Sequence, residues 1–156
     1  MDIKRREVLK AGSGAGVLAL AAAAGLVKPG EASAQEWNKA AFGTKSFADT
    51  VKALGGGGST ESGDIQITAP DIAENGAVVP ISIESRLAKT QAIAIMIEKN
   101  PNTLSANFEI PDGTDPFVTT RVKMGETSNV YALVKADGRY FHAVKEIKVT
   151  VGGCGG

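Results

Sequence analysis

The sequence holds one cysteine, Cys154, and frames it with glycine: Gly152-Gly153-Cys154-Gly155-Gly156. A disulfide within the chain would need a second cysteine, and none is present. A core thiol would have apolar neighbours, and this one has none. Glycine adds no bulk and populates both halves of backbone space. The pattern therefore predicts a thiol near the tip of a thin, flexible arm, 152–156, able to thread into a narrow pocket of another protein. With the last sheet residue at Val151, three residues give the arm a reach of about 10 Å.

The chemistry open to such a thiol is limited. An ordinary cysteine is only a few per cent thiolate at neutral pH, about 8.5 being its usual pKa. No Lys, His or helix N-terminus stands in the tail to lower that. Cys154 is thus expected to be an attachment point that reacts when a partner supplies a base, a metal or an electrophile. A cysteine-nucleophile enzyme would need a base within hydrogen-bond reach. The only histidine, His142, falls on the final strand and reads as a sheet-surface residue. Met96 and Met124 alternate with strand residues as packing side chains do. Asp112 and Asp115 lie in a Pro/Gly turn. No metal site and no bound cofactor are expected. The other class left open is an interaction protein whose Cys154 forms a disulfide-linked homodimer.

The other end of the sequence carries an address. Lys4-Arg5-Arg6-Glu7-Val8-Leu9-Lys10 is followed by the Ala/Gly-rich apolar run Ala11–Val27 and the small-residue site Ala32-Ser33-Ala34. A charged start, a short apolar middle and an A-x-A end define a secretory signal, with cleavage after Ala34. The run is at the short limit for a membrane span, and Arg5-Arg6 marks the twin-arginine (Tat) route. The expected location is the periplasm, with no membrane anchor in the mature form. That compartment is oxidising, so an exposed thiol kept there implies a purpose. The full chain is formally neutral. Removing 1–34 takes away Lys4, Arg5, Arg6, Lys10 and Lys28 against Asp2, Glu7 and Glu31, which leaves the remainder slightly acidic. That excludes a basic surface for nucleic acid or anionic lipid.

The elements that must hold the arm are legible by period. Gln35–Leu54 reads as helical, with Thr44 or Ser46 able to cap a second turn before Phe47, Val51 and Leu54. Gly55–Gly63 reads as a flexible connection. It lacks the Lys-Ser/Thr and the preceding strand of a phosphate loop. From Ile65 onward the signals are strand and turn. Val79/Ile81/Ile83, Leu104/Ala106/Phe108/Ile110, Val118/Thr120/Val122/Met124, Val130/Ala132/Val134 and Ile147/Val149/Val151 each alternate. Asn75-Gly76 and Asp137-Gly138 are hairpin signals. Gln91–Ile97 is apolar on both faces, which predicts a central strand covered twice in preference to one whose second face meets a partner. The only tryptophan, Trp37, lies outside the sheet region. The expected fold is mainly β: an immunoglobulin-like antiparallel β-sandwich at 65–151, preceded by the helix and Gly-rich linker of 35–64.

Three segments together resemble the SoxY family of the thiosulfate-oxidising Sox system. They are Ala40-Ala41-Phe42 through Ala53-Leu54-Gly55-Gly56, Ala69-Pro70-Asp71-Ile72-Ala73-Glu74-Asn75-Gly76-Ala77-Val78-Val79-Pro80, and Val149-Thr150-Val151-Gly152-Gly153-Cys154-Gly155-Gly156, with Arg5-Arg6 ahead of them. The resemblance implies a carrier, not an enzyme, with thiosulfate-derived sulfur held covalently on Cys154. It implies a heterodimer with a SoxZ-like subunit that lacks its own signal and could be co-exported folded. It implies as clients a c-type cytochrome pair, a sulfate-releasing metal-dependent hydrolase and a molybdenum–haem sulfur dehydrogenase.

Overall fold

Burial on both faces of one strand organises the molecule. The computed structural model describes residues 38–151. Among them are two short helices, α1 (Lys39–Phe42) and α2 (Phe47–Ala53), and nine strands: β1 (Thr60–Glu61), β2 (Ile65–Thr68), β3 (Ile72–Ala73), β4 (Val79–Ser85), β5 (Thr90–Ile97), β6 (Leu104–Glu109), β7 (Phe117–Val122), β8 (Ser128–Ala136) and β9 (Arg139–Val149). One sheet runs β1-β9-β8-β5-β6, with β3 also on β9, and the other runs β2-β4-β7. The two sheets face each other in the expected sandwich, and the helices cover part of the larger sheet's outer face.

The strand β5 is central, as its sequence predicts. Ile93, Ile95 and Ile97 join Val79, Ile81, Ile83, Val130, Ala132, Val134 and Ile147 between the sheets. Ala94 and Met96, on the opposite face, join Ala41, Val51 and Leu133 beneath the helices. All three isoleucines and Met96 are fully buried. Burial of each such side chain stabilises the fold by roughly 1.5–3 kcal/mol.

Four local expectations change. The helical stretch breaks at Gly43–Ser46. Gly43 N–H closes α1 on Lys39 and Ala40 carbonyls, and the Thr44 hydroxyl turns back to the Ala41 carbonyl at 2.7 Å. Ser46 is extended and accepts Asp49 N–H at 3.1 Å, so it is the cap of a separate helix. Secondly, Leu104 does not share a face with Ala106 and Phe108. A bulge between Ile95 and Met96 pairs Ile95 with Ala106 but Met96 with Leu104. The extra residue sends Leu104 to the helix side. Thirdly, Asn75-Gly76 does not join a hairpin, because β3 and β4 lie in different sheets. Fourthly, the glycine-rich connection is partly built in. It ends in β1, which pairs parallel with Phe141 and His142 of β9. Asp137-Gly138 does form the expected tight turn, with φ of 48° and 74° between β8 and β9.

Gly56 shows how closely the linker packs. A β-carbon there would stand 2.8 Å from both the Tyr140 ring and the Val51 side chain, whereas one at Gly57 would meet nothing within 4 Å. Gly56→Ala is expected to destabilise the protein by about 1–3 kcal/mol. Gly57→Ala is expected to stay within about 0.5 kcal/mol of the parent. Urea unfolding of the two variants side by side measures the difference.

Candidate functional site

Cys154 and the glycines Gly152, Gly153, Gly155 and Gly156 lie outside the described residues. So do Arg5, Arg6, Trp37 and the predicted cleavage point after Ala34. The structure describes the root from which the thiol segment departs. Ile147 is fully buried between the sheets. Val149 N–H donates to the Thr127 hydroxyl at 2.9 Å. Thr150 N–H donates to the Ala73 carbonyl at 3.1 Å, and its hydroxyl donates to the Glu74 carbonyl at 3.0 Å. The Val151 carbonyl accepts Gly76 N–H at 2.8 Å, while the Gly76 carbonyl accepts Met124 N–H at 2.7 Å. The 73–76 loop thus ties the end of β9 to the segment after β7.

Asn75 explains why the loop can do this. Its side-chain oxygen accepts Ala77 N–H at 2.8 Å, a local turn that leaves the Gly76 backbone free to bond outward in both directions. Parallel pairing of Ile72 with Lys148 and Ala73 with Val149 holds the loop alongside β9. Lys145 adds a clamp from the sheet, donating to the Ala69 carbonyl at 2.6 Å and pairing with Asp71 at 2.9 Å. Three large apolar side chains stay exposed here: Ile72, Val78 and Val151.

His142 sits elsewhere. It is half-buried on the outer face of the large sheet, with its ring edge-on to Phe47 at 5.2 Å. Its Nδ1 lies 2.9 Å from the Ser59 hydroxyl. Sequence reasoning missed Ser59, which arrives through the short parallel strand β1. Nine residues of extended chain separate His142 from Val151, about 30 Å at strand rise. An arm reaching about 10 Å beyond Val151 leaves roughly 20 Å uncrossed. His142 therefore cannot serve as base to the thiol of its own chain.

The remaining candidates also separate. Met96 and Met124 are fully buried packing residues. Asp112 and Asp115 flank the turn at Gly113, whose φ is 80°. Among the described residues no group of three or more His, Cys, Asp or Glu is placed to hold a metal, and no helix is long and apolar enough to cross a membrane. Burial raises the pKa of Tyr131 and of Tyr140, with Glu98 and Glu109 respectively adding to the effect. The hydrogen bond that the exposed Lys89 donates to Asp137 raises the pKa of that lysine. None of these groups bonds to the arm root.

The sandwich thus fixes the end of its last strand, from which residues 152–156 depart. The sequence matches the family described as sulfur oxidation protein SoxY over residues 51–154, a stretch that closes on Cys154. Among solved structures, it resembles the sulfur carrier protein SoxY from Chlorobium limicola f thiosulfatophilum at 35% identity. That alignment covers 70% of this chain and 96% of the other, with a TM-score of 0.63. A superoxide reductase (neelaredoxin) from Ignicoccus hospitalis aligns at 20% identity over 55% of this chain and 79% of its own, with a TM-score of 0.49. No curated protein matches. The chain belongs to the SoxY family.

Two expectations follow from the geometry. His142→Gln is expected to leave the pH profile of Cys154 alkylation by iodoacetamide superimposable on the parent's; a shifted profile would place the two residues in contact. Thr127→Val removes the acceptor of Val149 N–H. It should speed amide exchange at Val149 several-fold while leaving the Ile93 and Ile95 amides protected, as read by hydrogen–deuterium exchange.

Proposed function

We propose that this protein carries thiosulfate-derived sulfur covalently on Cys154 and presents it, in the periplasm, to the enzymes of sulfur oxidation. The observation that carries this reading is the family match, which extends to Cys154 at the end of a strand whose root is pinned. In the first step the Cys154 thiol loses its proton and forms a sulfur–sulfur bond with thiosulfate. Two electrons leave, one at a time, to haem groups that the cytochrome pair would supply. A hydrolase then adds water to the terminal sulfone, releasing sulfate and two protons and leaving a persulfide anion on Cys154. A sulfur dehydrogenase oxidises that sulfane sulfur further. Each intermediate stays bonded to the carrier, so it passes between enzymes without release.

The body suits this division of labour. His142, the only histidine of the chain, lies beyond the arm's reach, so Cys154 waits on a base supplied by a client's site. A client that takes Cys154 into a pocket comes within about 10 Å of Val151. Its rim then meets the exposed Ile72, Val78 and Val151. Glycines around the thiol keep the inserted segment thin. A signal-less SoxZ-like subunit, exported folded with this chain through the route marked by Arg5-Arg6, completes the carrier.

The test is the intact mass of the mature protein from cells grown on thiosulfate, with and without reductant. Reductant-labile additions of sulfur or sulfone mass on the C-terminal peptide are expected, with cleavage after Ala34. A single unmodified mass would refute carriage. Cys154→Ser should abolish thiosulfate-dependent turnover in the reconstituted system while leaving the circular dichroism unchanged. Gly153→Val or Gly155→Val should keep the fold and accept the adduct, yet lower turnover at least ten-fold by narrowing access to client pockets. Turnover equal to the parent's in the valine variants would show that arm width is irrelevant.

A further inference from the structure

A polar cleft lies at the opposite end of the large sheet from the arm root, and carriage does not use it. It opens on the outer face, with a volume of about 210 Å³. Strand register explains its shape. Glu109 of β6 pairs with Ala92 of β5, Ala92 with Lys135 of β8, and Lys135 with Tyr140 of β9. These four side chains therefore form one row across the outer face. Leu54, just past the end of α2, closes one side of the cleft, held there because Tyr140 donates its hydroxyl to the Leu54 carbonyl.

The row has an acid and a base with a gap between them. Adjacent strands lie about 4.8 Å apart, so Glu109 and Lys135 stand on backbones about 10 Å apart, with only the methyl group of Ala92 between them. They are not ion-paired: the carboxylates among the described residues that do pair with Lys or Arg are Glu84, Asp137 and Asp71. Glu109 accepts only the Asn107 side-chain amide, at 3.3 Å. Lys135 is half-buried, and its ammonium lies 5.9 Å from the Tyr140 ring centre. An anion arriving in the cleft gives the Lys135 ammonium the carboxylate partner that it lacks. An ammonium arriving at the other end of the same row meets Glu109. The neighbouring outer-face residue Ala94 also lines the cleft and keeps its floor low.

The geometry points to a binding site for a small zwitterion of the amino-acid or dipeptide class, its carboxylate on Lys135, its ammonium on Glu109 and its backbone over Ala92. Eleven residues of extended chain separate Tyr140 from Val151, about 36 Å at strand rise. Occupancy of the cleft and loading of Cys154 are therefore separable events.

The test is titration of full-length Cys154→Ser protein with glycylglycine, followed by amide chemical shifts. Saturable shifts confined to β5, β6, β8 and Tyr140 are expected. N-acetylglycine, which lacks the ammonium, and glycinamide, which lacks the carboxylate, should each bind at least ten-fold more weakly. Lys135→Ala and Glu109→Gln should each weaken glycylglycine binding at least ten-fold, and Ala92→Leu should abolish it, with unfolding midpoints near the parent's. Absence of saturation up to tens of millimolar would overturn the proposal. So would equal binding of the two blocked compounds, or shifts spread over the whole surface. The mass of the Cys154 adduct in wild-type protein is measured independently, so failure here leaves the carrier reading standing, and the reverse also holds.

Discussion

The backbone ladder of β9 is the constraint on which the rest depends. Its one edge pairs with β8 from Arg139 to Ile147, and its other edge receives β1 at Phe141–His142 and β3 at Lys148–Val149. Because β1 and β3 are each two residues long, neither would persist alone. Their hydrogen bonds form only against a strand already held by β8 and by burial of Ile147. The helices depend on the same strand through Tyr140 and His142, which meet Leu54 and Phe47. Fraying of β9 by one or two residues would shift the point from which residues 152–156 depart. Bonds to Val149, Thr150 and Val151 remove that freedom from three consecutive residues.

How far the sequence discloses this depends on whether a signal is local. The two-faced apolar pattern of Gln91–Ile97 is local, and it led to the correct centre of the sheet: isoleucines on one face, Ala94 and Met96 on the other. Asp137-Gly138 is local too, and its positive φ values follow from the two residues themselves. Leu104 is different. Its spacing from Ala106 is that of a clean alternation, and only the pairing with β5 inserts the extra residue that turns it over. Asn75-Gly76 makes a turn as its residues require, yet whether flanking strands pair is a tertiary matter. There the following strand goes to the other sheet. Two-residue strands such as β1 and β3 cannot express a period at all, so the closed edge of β9 was invisible in the sequence.

The same distinction governs the candidate site. The glycine frame of Cys154 is a composition signal, readable without any structure, and it states what the thiol lacks. The surroundings of His142 are assembled from α2, the glycine-rich segment and β9, so neither Ser59 nor Phe47 could be assigned to it in advance. A histidine hydrogen-bonded to a serine suggests chemistry when seen alone. Distance along β9 decides otherwise for Cys154: the pair is at one end of the strand and the thiol segment leaves from the other.

That separation has a physical consequence for a carrier. A thiol held beside a base on its own chain would be thiolate much of the time, and the thiolate is the form that oxidants consume. Placing the only histidine about 30 Å up the strand, and engaging Lys145 at the root with Asp71 and the Ala69 carbonyl, keeps His142 and the Lys145 ammonium from serving as a ready base there. In the role proposed above, activation comes from each client in turn. In the proposed role, one attachment point can serve an oxidative coupling, a hydrolysis and a further oxidation because it is committed to the chemistry of none of them.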